Sequence, residues 1–156
     1  MLDTFTLYCI VVATAVGGAI LSWLFTWRRP EAVGARTWSL SLACLAVYFG
    51  LVVFRQHVNG FIGYSVANGV AVIGLGVMHF GSGQICRRPV RLWLHLAVAA
   101  VVMVVIAAFL LEPERHFRIR VMLVAAVTAI QSSLIVWMML RSDADVSEDE
   151  VRARRL

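Results

Sequence analysis

The residues of this chain best suited to chemistry are His79 and His95. Each lies in an apolar run, and the turn between the runs carries Arg87, Arg88, Pro89 and Arg91. An antiparallel connection through that turn puts both imidazoles at one depth on neighbouring helices. Imidazole suits Fe, Cu and Zn, and haem iron is held by it. Haem or metal ligation by the pair is therefore one expectation, conditional on both rings facing one cavity. The competing expectation is that each ring is a polar interface group, hydrogen-bonded to a carbonyl or a neighbouring side chain.

Other polar groups inside apolar runs are few: Asn68, and then Thr128, Gln131, Ser132 and Ser133. In hydrocarbon such groups must find partners, so they are expected to face inward, as a ligand pocket or as interhelical glue. Arg55, Asn68 and Gln131 are the ligand-binding candidates. The loop residues Arg55, His57, Glu112, Glu114 and His116 could take a metal or an anion, or sense pH through histidine near its ordinary pKa of about 6.5; a solvated loop is the simpler reading. Catalysis by the chain alone is not expected, because no acid lies inside any apolar run. Gly74, Gly76, Gly81 and Gly83 sit in an apolar helix rather than after a strand, so they read as packing or turn glycines, not a phosphate loop. Cys9, Cys44 and Cys86 are far apart without a CxxC pair, which indicates neither a disulfide framework nor a zinc knuckle.

The elements that must position these residues are set by composition. Of 156 residues, 61% are hydrophobic and 15% charged, against about a quarter charged in globular domains, and the mean hydropathy is +0.84. The chain reads as an all-α polytopic membrane protein. Its net charge of +5 points to topology and lipid contact rather than to nucleic acid, since no basic patch interleaved with aromatics is present.

Five apolar runs are long enough to cross a hydrocarbon core of about 30 Å: 5–27, 37–54, 61–81, 92–111 and 121–140. The first is not expected to be a cleaved leader, because Asp3 and no Arg precede it. Arg28-Arg29-Pro30 stops it, and a Gly-Ser-Gly turn at 81–83 is expected to end the third. Residues 142–156 form a charged tail, in which Ser147 and Glu150 have capping-box spacing for a short helix.

Five spans put the termini on opposite sides. With the N-terminus outside, the inner pieces hold Arg28, Arg29, Arg36, Arg87, Arg88, Arg91, Arg141, Arg152, Arg154 and Arg155. Arg55, Arg115, Arg118 and Arg120 remain outside. The excess favours N-out, C-in. Trp23, Trp27, Trp38, Trp93 and Trp137 fall toward one face and Tyr8, Tyr48 and Tyr64 toward the other, as interface belts do. Gly18 with Ser22, and Ala67 with Ala71, have the spacing of close helix contacts.

The arrangement Trp38, Gly50 and Arg55, then Ser65-Val66-Ala67-Asn68-Gly69, Gly74 and His79-Phe80-Gly81, then Arg118-Ile119-Arg120, resembles the N-terminal membrane region of bacterial diguanylate cyclases, in which a sensor bundle precedes a cytoplasmic GGDEF domain. The resemblance implies a bacterial inner-membrane input module that signals to an output domain or partner beyond Arg141. No GGDEF motif occurs in these 156 residues, so cyclase activity does not carry over. Homodimerisation suits such a module, although the sequence does not require it. The alternatives are a redox subunit holding haem through His79 and His95, and a small membrane assembly or transport partner.

Overall fold

The computed structural model describes residues 4–27, 29, 33–110 and 117–153, with side chains for 6–27, 29, 33–110 and 118–141. It contains α1 (Thr4–Thr26), α2 (Val33–Val53), a π-helical segment (Phe61–Val66) running directly into α3 (Ala67–Ile85), α4 (Leu92–Phe109) and α5 (Phe117–Ala153). Five helices are long and apolar enough to cross a membrane, and no strand occurs among the described residues. The chain is an all-α, multi-pass membrane bundle.

Helix α3 is the hub. It packs on α2, α4 and α5, whereas α1 packs on α2 alone among the described helices. Lipid tails are as apolar as the side chains, so helices associate here through close van der Waals fit and interhelical hydrogen bonds. Helix α3 has the small residues that such a fit requires, and Ala67, Gly69, Ala71, Gly74, Gly76, Gly81, Ser82 and Gly83 are all buried. Ser41 of α2 donates to the Gly74 carbonyl at 2.7 Å, and Ser65 donates to the Met103 carbonyl of α4 at 2.5 Å. Val72, Ala99, Val102 and Ile106 form the apolar core between α3 and α4. Of the small-residue pairs, Ser22 accepts a hydrogen bond from Ser39 of α2 at 2.7 Å, Gly18 lies against Leu42, and Ala67 and Ala71 are buried in α3.

The third span does not end in a Gly-Ser-Gly turn. Helix α3 continues through Gly81, Ser82 and Gly83 to Ile85. These glycines serve contact rather than turning: a Cβ at Gly81 would stand 2.6 Å from Trp38 Cδ1 and 2.9 Å from the Gly34 carbonyl oxygen, and one at Gly83 would stand 2.8 Å from the Arg88 carbonyl oxygen. The helix ends instead at Arg87, a non-glycine residue at φ 53°, where Arg88 N–H donates to the Gly83 carbonyl and Arg87 N–H to that of Gln84, the Schellman pattern. Helix α2 likewise starts at Val33, four residues before the apolar run, because Gly34 is buried in the crossing with α3.

The tail does not begin a separate helix. The backbone of α5 is helical without interruption from Phe117 to Ala153, so the 141/142 boundary is one of composition only. The Ser147–Glu150 capping pattern concerns side chains outside the described residues, as do Glu112, Glu114 and His116.

The α2–α3 crossing has no room for a branched side chain. Gly81→Val is expected to lower the melting temperature of the detergent-purified protein by several degrees, since overpacking costs about 1–3 kcal/mol. Substitution of Gly17, whose Cβ would meet nothing within 4 Å, is expected to leave it unchanged.

Candidate ligand site

His79 on α3, His95 on α4 and Gln131 on α5 come together in the interior. His79 Nδ1 and His95 Nε2 are 3.0 Å apart, with the rings edge to face at 80° and centroids 5.0 Å apart. Gln131 Nε2 lies 3.2 Å from His95 Nδ1. Gly76 makes the meeting possible, because its Cα surface lies directly against the Cβ and Cγ of His95. A side chain there would push α4 away one turn before His79.

The orientation of the Gln131 amide, with Nε2 toward His95, sets the sense of this chain. An amide nitrogen only donates, so His95 Nδ1 accepts from Gln131. With both imidazoles neutral, His95 Nε2–H then donates to His79 Nδ1, and His79 Nε2 carries its own hydrogen. Gln131 is 4% exposed, and its carbonyl Oε1 is buried without a hydrogen-bond partner. A buried polar atom left in that state costs about 1–3 kcal/mol.

The three residues line one cleft of about 910 Å³ between α4 and α5. These two helices pack on α3 more than on each other, which leaves the gap. Its walls are apolar, with Leu94, Val98, Val127, Ile130 and Leu134, and its tail-side end carries Arg88, Arg91 and Trp137. Both histidines therefore face one cavity. Ligation of one metal by the two facing nitrogens would first require the hydrogen bond between them to open, because both lone pairs must then point at the ion and neither nitrogen can keep its hydrogen.

The ligand-binding candidates separate into two places. Gln131 joins the histidines. Arg55 and Asn68 line a second cavity of about 350 Å³ with Tyr8, Tyr48, Tyr64 and Arg120. There Asn68 Nδ2 donates to the Tyr64 carbonyl at 2.6 Å, and the Arg120 guanidinium stands 5.3 Å from the centre of the Tyr64 ring. The π-helical segment 61–66 forms part of its wall through Gly63 and Tyr64, and short π segments often mark functional positions. Ser132 and Ser133 do not face inward. Both are exposed, because three consecutive residues point about 100° apart around a helix and Gln131 takes the inward direction. Thr128 bonds back to the Val124 carbonyl of its own helix at 2.9 Å. His57 is exposed in the 54–60 loop.

Sequence reasoning read Gly76 as a packing or turn glycine without tying it to the histidines, and it placed Arg120 outside the spans without assigning it to a site. Gly76 stands three residues before His79, hence on the same helix face, and that spacing was the available signal. Arg120 belongs to a basic triplet that reads as a loop, yet it is only 8% exposed at the start of α5. No family model, curated protein or solved structure matches this chain.

If His95 and Gln131 hold α4 and α5 together, a double-mutant cycle of His95→Phe and Gln131→Leu will give a coupling near the average of about 0.6 kcal/mol for interhelical hydrogen bonds in membranes. Reversible unfolding in mixed micelles measures it, and strict additivity would contradict the bond. Gly76→Val is expected to cost as much stability as His95→Phe, since it displaces the same ring.

Proposed function

We propose that this chain is a membrane-embedded input module of a bacterial signalling protein, seated in the inner membrane with its N-terminus outside, in which occupancy of the α4–α5 cleft is transmitted along α5. The observation that carries this reading is the continuity of α5. At 37 residues and 1.5 Å per residue it is about 55 Å long, and only its segment Arg118–Arg141 is apolar enough to cross a membrane. The rest continues past Arg141 as the same rigid rod. Gln131, whose amide touches the histidine pair, rides on that rod. A ligand that prefers one packing of α5 against α3 and α4 would move the far end by whatever its difference in affinity for the two packings allows. The distribution of arginine supports the tail lying in the cytoplasm, where an output domain or a separate partner would meet it. The resemblance to the membrane regions of diguanylate cyclases supports the same assignment.

A second reading, a redox subunit holding haem or a metal, is favoured by the sharing of one cleft by His79 and His95. It needs the hydrogen bond between the rings to open, and with haem it would give the purified protein a Soret band lost in His79→Ala.

The signalling reading is tested with spin labels at Ile85 and Leu140, both exposed, in a variant lacking the three cysteines. Breaking the polar tie with His95→Phe is expected to shift the label–label distance distribution. An identical distribution with the tie intact and broken would remove α5 as the transmitting element.

A further inference from the structure

The α4–α5 cleft is open on the side that faces the surrounding membrane. Leu94, Val98, Ile130 and Leu134 line it and are exposed, so in a bilayer these side chains meet hydrocarbon. A molecule seated between them comes from the lipid phase. From Val127 to Trp137 the α5 wall runs ten residues, about 15 Å along the helix, or half of a hydrocarbon core of about 30 Å. The cleft therefore spans one leaflet, the length of one acyl chain from headgroup level to the midplane.

Charge at the rim chooses the head. Arg88 and Arg91 line the tail-side end of the cleft, and the Arg141 guanidinium stands 5.2 Å from the centre of the Trp137 ring on the α5 wall. Neither the α3–α4 turn at 86–91 nor α5 from Phe117 to Arg141 contains an acid, so these positive charges add. The distribution of arginine puts this rim at the cytoplasmic leaflet, where basic pockets between membrane helices take anionic headgroups. Guanidinium also binds phosphate with two parallel hydrogen bonds. A free phosphate would use the arginines and leave the apolar walls, whereas a zwitterionic lipid would use the walls and set its ammonium beside the arginines. A lipid with an anionic head uses both.

We propose that the cleft binds an anionic phospholipid of the cytoplasmic leaflet, with its phosphate at Arg88, Arg91 and Arg141 and one acyl chain lying between Val98, Val127 and Leu134. A chain seated there favours the packing in which α4 and α5 stand apart, and it shifts α5 only as far as it prefers that packing to the closed one. This assignment rests on reading the cleft as the stimulus site of the input module, and makes the stimulus the anionic lipid content of that leaflet.

The test uses the full chain in dodecyl maltoside micelles and radiolabelled dioleoyl phosphatidylglycerol, with dioleoyl phosphatidylcholine and chain-free glycerol phosphate as competitors. The protein is expected to retain phosphatidylglycerol saturably. Phosphatidylcholine is expected to compete at least about tenfold less well, since each arginine near an anionic lipid supplies about fivefold, and glycerol phosphate is expected not to compete. Arg88→Gln combined with Arg91→Gln is expected to remove most of the preference, while Arg87→Gln, in the same turn but outside the cleft lining, keeps it. Val98→Trp, which fills the cleft and leaves the charges in place, is expected to lower retention of both lipids. Circular dichroism confirms that each variant is folded. Absence of saturable retention, equal competition by phosphatidylcholine, displacement by glycerol phosphate, a preference that survives the double substitution or falls equally in Arg87→Gln, or retention unaltered by Val98→Trp would overturn the assignment. Phosphatidylglycerol retained through Arg88 and Arg91 with the same Ile85–Leu140 distance in nanodiscs of either lipid would keep the occupant and remove the sensing role. A distance that responds to His95→Phe in a protein with no preference for phosphatidylglycerol would do the reverse.

Discussion

A hydrogen-bonding side chain in hydrocarbon has only other protein groups to bond, and this constraint arranges the bundle. Where α2 meets α3 it is met by Ser41 on the Gly74 carbonyl, and where the π segment meets α4 by Ser65 on the Met103 carbonyl. Where α3, α4 and α5 meet it is met by two imidazoles and an amide bonded in series. Each meeting needs backbones close together. Glycine and alanine on α3 supply that closeness, and Gly76 does so at the one point where a polar chain crosses three helices.

The same constraint divides the molecule into a rigid half and an open half. Helix α2 lies tightly on α3 through Gly34 and Gly81, with no space for a β-carbon. On the other side α4 and α5 both lean on α3 and scarcely on each other, which opens an apolar cleft with a polar floor. Helices held mainly by one polar tie and by dispersion can exchange between packings at small cost, and the long rod of α5 converts a small tilt inside the membrane into a displacement beyond it. The second cavity, with Arg55, Arg120 and three tyrosines, lies beside the π segment at the opposite end of the bundle.

Five spans were legible because runs of eighteen or more apolar residues have one stable solution in a bilayer, a helix. That His79 and His95 share a depth was also legible, from the short basic turn between their helices. What could not be read was which residue each ring meets. Helix α4 is apolar on every side, so no period in its sequence says which face turns to α3, and Gln131 could be placed at the pair only once α5 was seen to pack on α3. The Gly81–Gly83 segment misled for a physical reason: glycine marks turns in water-soluble chains, but in a membrane helix it marks contact. Among the polar residues of the fifth span, Ser132 and Ser133 carried the same expectation as Gln131, and rotation around one helix separated them.

The most direct measurement is the solid-state 15N NMR spectrum of histidine-labelled protein in lipid bilayers. A hydrogen-bonded pair gives a through-bond coupling between the protonated nitrogen of one ring and the bare nitrogen of the other, lost in Gly76→Val and in His95→Phe. Imidazoles that show no such coupling in the unaltered protein would mean that α3 and α4 are not joined through this pair, and the polar chain that runs from His79 to α5 would be broken at its first bond.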